Sequence, residues 1–112
     1  MIARRLALVT VVVLAVALVA LPPPAAAANA AKVFAQSCAP CHGKEGQPNA
    51  VFAKQGVRSF KDAAWQKAAT DAQIEQSIRE GKKGTMMASF EKALSAEEIK
   101  ALVAYIRTLG KK

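Results

Sequence analysis

An all-α domain is predicted by three observations. Two capping boxes, Thr70-Asp71-Ala72-Gln73 and Ser95-Ala96-Glu97-Glu98, each open an apolar run with helical spacing. A third helix-like segment, from about Ala30 to Cys41, leads into a pair of cysteines. No stretch alternates apolar and polar residues in the way a half-buried strand requires.

The chain opens on a short positive head, Met1-Ile2-Ala3-Arg4-Arg5, followed by an apolar run from Leu6 to Leu21. Pro22-Pro23-Pro24 breaks that run, and the small residues of 25–31 offer Ala-x-Ala sites at 26–28 and 28–30. This is the three-part layout of an export signal. Residues 1–28 are therefore expected to be a signal peptide, cleaved after Ala28 or Ala30, with one domain over 29–112. The run is short for a bilayer span, which takes ~20 apolar residues, so an uncleaved membrane anchor is the lesser alternative. The overall 53% of hydrophobic residues is inflated by this segment and does not mark a membrane protein.

The first helix of the domain, with Asn29 as its expected N-cap where cleavage leaves that residue, carries Val33, Phe34 and Ser37–Cys38 on its apolar stripe. At its end stands Cys38-Ala39-Pro40-Cys41-His42, which holds both cysteines and the only histidine of the chain. Two cysteines three apart with histidine next read as a c-type haem attachment site. Positions i and i+3 on a helix face the same way, so both thiols can meet the vinyl groups along one porphyrin edge, and His42 can offer the iron a nitrogen. A structural zinc site would need about four ligands, and a redox pair would want a βαβ setting. Neither is present in the pattern, and an ordinary disulfide leaves His42 unexplained. The haem then becomes the centre of a core that so small a chain cannot build alone.

Residues 43–69 read as an irregular segment along one haem edge, with turn chemistry at Gly46-Gln47-Pro48-Asn49 and scattered anchors Phe52, Val57, Phe60 and Trp65. A short helix is expected near 62–68. Trp65 could donate its indole N–H to a haem propionate or simply pack. The helix opening at Thr70 buries Ile74 and Ile78 and stops at Gly81, an expected left-handed cap. The last helix carries Ile99, Leu102, Val103 and Ile106 at i, i+3, i+4 and i+7 and ends at Gly110, with Lys111 and Lys112 beyond it. Between these two helices lies a loop with Met86 and Met87. A six-coordinate haem needs a second axial ligand, methionine is one of the usual ones, and no second histidine exists.

Taken together, the helix into Cys38-Ala39-Pro40-Cys41-His42, the Gly-rich Met loop ending in Phe90, and Leu94-Ser95 to Arg107 resemble a small class I cytochrome c of the bacterial periplasmic type. That resemblance covers the whole domain. It implies the cytochrome c fold, three main helices and loops around one covalent haem c, with Cys38 and Cys41 as thioethers. It implies His42 and a methionine as axial iron ligands. Family members often read Met-Pro-x-Phe, so Met87-Ala88-Ser89-Phe90 favours Met87, with Met86 as the alternative. Such proteins also bring the first and last helices together, here through Phe34, Leu102 and Tyr105.

A haem closed on both faces suits one-electron transfer between periplasmic partners rather than catalysis. The alternatives are an open-site haem enzyme or ligand sensor, and a haem-bearing subunit of a larger redox complex. Loss of Arg4 and Arg5 with the signal leaves 14 basic against 8 acidic residues, a net charge of +6. The bland reading of that balance is solubility as a monomer. The sharper one is an acidic docking patch on a redox partner, met by Lys82 and Lys83 with Lys44 and Lys54. Nucleic acid is a poor partner for an exported haem protein.

Overall fold

The computed structural model describes residues 14–16 and 24–112; the expected signal segment otherwise lies outside the described residues. Helix α1 spans Pro24–Val33 and continues without a break through a π turn, Phe34–Cys38, into α2, Ala39–His42. The wide turn closes on a bond from the Ala39 N–H to the Phe34 carbonyl. It changes the angular register of everything after it, so the cysteines are aimed by the π turn as much as by the helix.

The expected start of the first helix and the cap at Asn29 are both corrected. Among the described residues the helix already includes Pro24–Val33, so in the full-length chain Asn29 lies inside it, donating from Nδ2 to Glu98 Oε2 of the last helix at 3.2 Å. The Ala-rich run of 25–31 is a strong helix former, and the last helix lies alongside to pack against it.

Gly43 ends α2 with φ 83° and ψ 148°, a conformation open to glycine alone, because a Cβ there would collide with the Gln47 carbonyl. Within the segment expected to be irregular, α3 spans Ala50–Lys54 and α4 spans Ala63–Ala68. Asn49 caps α3 by accepting from the Phe52 N–H, so its turn chemistry is the start of a helix. Asp62 caps α4, the short helix expected near 62–68, by accepting from the N–H groups of Ala64 and Trp65.

Helix α5, Asp71–Glu80, and helix α6, Ala96–Leu109, both open on complete capping boxes at Thr70 and Ser95. Gly81 stops α5 with φ 72° and ψ −174°. Its φ is positive as expected, but its ψ is extended, so it lies outside the left-handed helical region.

The core is the crossing of α1 and α6, the most extensive contact between helices among the described residues. Ala30 and Phe34 from one side meet Ala101, Leu102, Val103 and Ile106 from the other, with Ile74 and Ile78 of α5 closing the third side. Phe34 and Leu102 are the largest fully buried side chains, and Phe34 packs on Tyr105 with centroids 5.1 Å apart. This is the contact the resemblance implied. The fold is all-α, with no strand among the described residues.

A second tie holds α6 to the middle of the chain. Arg107 donates to Asp71 Oδ1 at 2.8 Å, to the Gln66 carbonyl at 2.6 Å and to the Ala69 carbonyl at 2.6 Å. Gln66 in turn donates to the carbonyls of Phe60 and Ile106. This clamp satisfies four backbone carbonyls: those of Gln66 and Ala69 at the end of α4, of Phe60 ahead of α4, and of Ile106 in the last turn of α6.

Candidate functional site: a haem cavity

Beside the α1–α6 crossing lies a cavity of about 850 Å³, lined by Cys38, Cys41 and His42 on one wall and by Met86 and Met87 on another. Phe34, Ile74, Ile78, Leu102 and Ile106 supply an apolar floor. Every ligand residue expected from the sequence is thus brought to one space.

Cys38 and Cys41 are half-buried free thiols, not a disulfide. Burial, and secondarily the charge of Cys41, pushes the Cys38 thiol up to about 11. His42 is lowered from its usual value by burial, so the imidazole stays neutral, the form that binds metal. Its ring stacks on Phe60, with centroids 4.6 Å apart and planes 19° apart. Phe60 is itself held from both ends: its N–H donates to the Gly46 carbonyl and its carbonyl accepts from Gln66. An aromatic ladder therefore runs from His42 through Phe60 to Phe34 and Trp65. His42 Nδ1 is buried without a hydrogen-bond partner among the described residues. The imidazole itself lines an apolar cavity beside two thiols, and that donor set fits a haem edge and its iron.

The two methionines differ. Met86 is 72% exposed, whereas Met87 is half-buried and packs against the core. The loop that carries them is tightly bonded. Met87 donates its N–H to Thr85 Oγ1 and accepts at its carbonyl from the Lys82 N–H. Ser89 Oγ donates to the Arg79 carbonyl at 2.6 Å, and the Phe90 N–H donates to the Ile78 carbonyl. Without proline at position 88, these bonds to the end of α5 set the direction of Met87.

Phe60, expected as an anchor of the segment along one haem edge, lines the cavity. The Gln66–Arg107 pairing that supports it from outside the cavity was missed, because it joins residues 41 apart and has no local pattern. Trp65 lines the cavity 5.1 Å from Phe60.

Residues 25–106 match the protein-family profile described as cytochrome C oxidase, cbb3-type, subunit III. The chain belongs to this family of c-type cytochrome domains. The cytochrome is similar to the cbb3-type cytochrome c oxidase subunit FixP of Azorhizobium caulinodans, 39% identical over 85 residues, and to that of Bradyrhizobium diazoefficiens, 32% identical over 84 residues. Those alignments cover 76% and 75% of this chain and 28% of each relative, so the cytochrome spans little more than a quarter of their length. Among solved structures it is similar to the KustC0563 c-type cytochrome, with 39% identity and a TM-score of 0.66, covering 71% of this chain and 95% of that one. Its cofactor is a covalently attached haem c with its iron.

Proposed function

We propose that this cytochrome is a one-electron carrier of the periplasm, with Cys38 and Cys41 as the thioether residues and His42 and Met87 as the axial ligands of the haem iron. The observation that carries the reading is the convergence of these four residues on one apolar cavity. When bound, the haem iron supplies a ferric–ferrous couple that gains and loses one electron. The chain's own residues do the rest. Cys38 in the π turn and Cys41 in α2 would anchor the ring, and Phe60 fixes the plane of His42. The floor of Phe34, Ile74 and Leu102 keeps water out, and His42 and Met87, both holding the iron, would leave no position on it for a substrate. Electron transfer rather than catalysis follows.

The +6 charge of the domain serves docking to an acidic patch. Lys82 borders the cavity, and Lys83, Lys44 and Lys54 are exposed. No helix among the described residues is long and apolar enough to cross a membrane.

A second reading has its own support. The curated relatives are oxidase subunits more than three times as long as the aligned region, so the same domain can serve as a haem-bearing part of a larger complex. Two measurements decide. Denatured protein should keep its haem through acidified organic extraction, and the ferric spectrum should show the thioether–iron band. Freely extracted haem, or a high-spin ferric spectrum that binds added ligands, would overturn the closed-carrier reading. Copurification with a membrane oxidase would favour the subunit.

A further inference from the structure

Every expected cleavage point of the export signal falls inside α1, so the fold discriminates between them. Ala30 is 2% exposed and is a core residue at the α1–α6 crossing. Cleavage after Ala30 would remove it, together with the Asn29–Glu98 hydrogen bond that ties the two helices at their edge. Cleavage after Ala28 leaves both in place, and the two residues just before that cut, Ala27 and Ala28, are exposed. Ala26, half-buried against the core, is lost in either case.

The earlier cut also has an electrostatic partner waiting. A new ammonium group at the start of a helix is unfavourable, because the helix dipole is already positive there. After cleavage at Ala28 that ammonium belongs to Asn29, the residue whose side chain already lies 3.2 Å from Glu98 Oε2. The other oxygen of Glu98 is spent on the Ser95 N–H of the α6 capping box. One carboxylate can thus cap α6 and neutralise the start of α1.

We propose that a signal peptidase hydrolyses the Ala28–Asn29 bond, with Ala26 and Ala28 as its small recognition residues, and that the Asn29 α-ammonium then pairs with Glu98. Water supplies the hydroxyl of the released Ala28 carboxylate and the proton of the new amine. This rests on the export-signal reading. The carrier function does not depend on it.

The test is to express the full precursor with haem loading and to sequence the N-terminus of the purified holoprotein. Asn29 is the expected first residue. Ala31, or any other processed start, overturns the site while leaving export standing; a full-length holoprotein overturns cleavage altogether and favours the uncleaved anchor. Glu98→Gln then isolates the pairing, since glutamine preserves the capping box and removes only the charge. The processed variant should melt several degrees lower at low salt, and the gap should narrow at high salt as the pair is screened. A melting temperature equal to that of the native protein at both salts would remove the Asn29–Glu98 pair.

Discussion

Met86 and Met87 are neighbours with opposite surroundings. One is turned to solvent, and the other is held against the core by a loop bonded back onto α5. Met87→Ala should abolish the thioether–iron band of the ferric protein and lower its reduction potential, because methionine stabilises the ferrous state. Met86→Ala should leave both unchanged, and the opposite pattern in the spectra would move the ligand to Met86. Gly81 controls the same loop from its other end. Its φ of 72° with extended ψ is a glycine-only conformation, and a Cβ there would lie 2.6 Å from the Met87 carbonyl. Gly81→Ala should cost about 1–3 kcal/mol and weaken the Met87 band, as read by denaturant unfolding and absorption. A full-strength band in a destabilised protein would separate the loop's stability from ligand geometry. The glycine was legible in the sequence as a helix stop. Its contact with Met87 was not, because that contact depends on how the loop folds back.

At the scale of elements, helices α5 and α6 were readable because their signals are local: a capping box, a 3.6-residue stripe and a glycine. Thr70→Ala and Ser95→Ala should each lower stability by about 1 kcal/mol, measured by chemical denaturation of the holoprotein. Leu102, 1% exposed at the helix crossing, is the heavier test. Leu102→Ala should cost about 2–5 kcal/mol, and a loss under 1 kcal/mol would mean the crossing is not the main source of stability. Helix α3 was hidden because its cap, Asn49, sits in a Gly-Gln-Pro-Asn run that reads equally well as a turn. The start of α1 was misplaced for a different reason. An Ala-rich stretch satisfies both an export signal and a helix, and packing against α6 rewards the helix.

For the whole molecule, charge is the property that reaches beyond the fold. If the lysines around the cavity steer an acidic partner, the second-order rate of electron transfer should fall steeply with salt as the Debye length shrinks from ~30 Å at 0.01 M to ~8 Å at 0.15 M. Lys82→Glu with Lys83→Glu should slow that rate several-fold while barely moving the reduction potential. Stopped-flow kinetics that are flat in salt, and indifferent to the double reversal, would leave solubility as the purpose of the charge.

Local chemistry in the sequence determined the cofactor, the helical class and the pairs of residues to be tested as ligands. Cys38, Cys41 and His42 are contiguous, so their joint purpose needs no tertiary contact to be seen. What the tertiary structure alone decided is which surroundings each residue meets. It set Met87 inward and Met86 outward, stacked Phe60 on His42, and tied Arg107 to Gln66 and Asp71 across the chain. These contacts join residues 18 to 41 positions apart. Their partners are chosen by the packing of α6 against everything before it, which no local pattern of residues encodes.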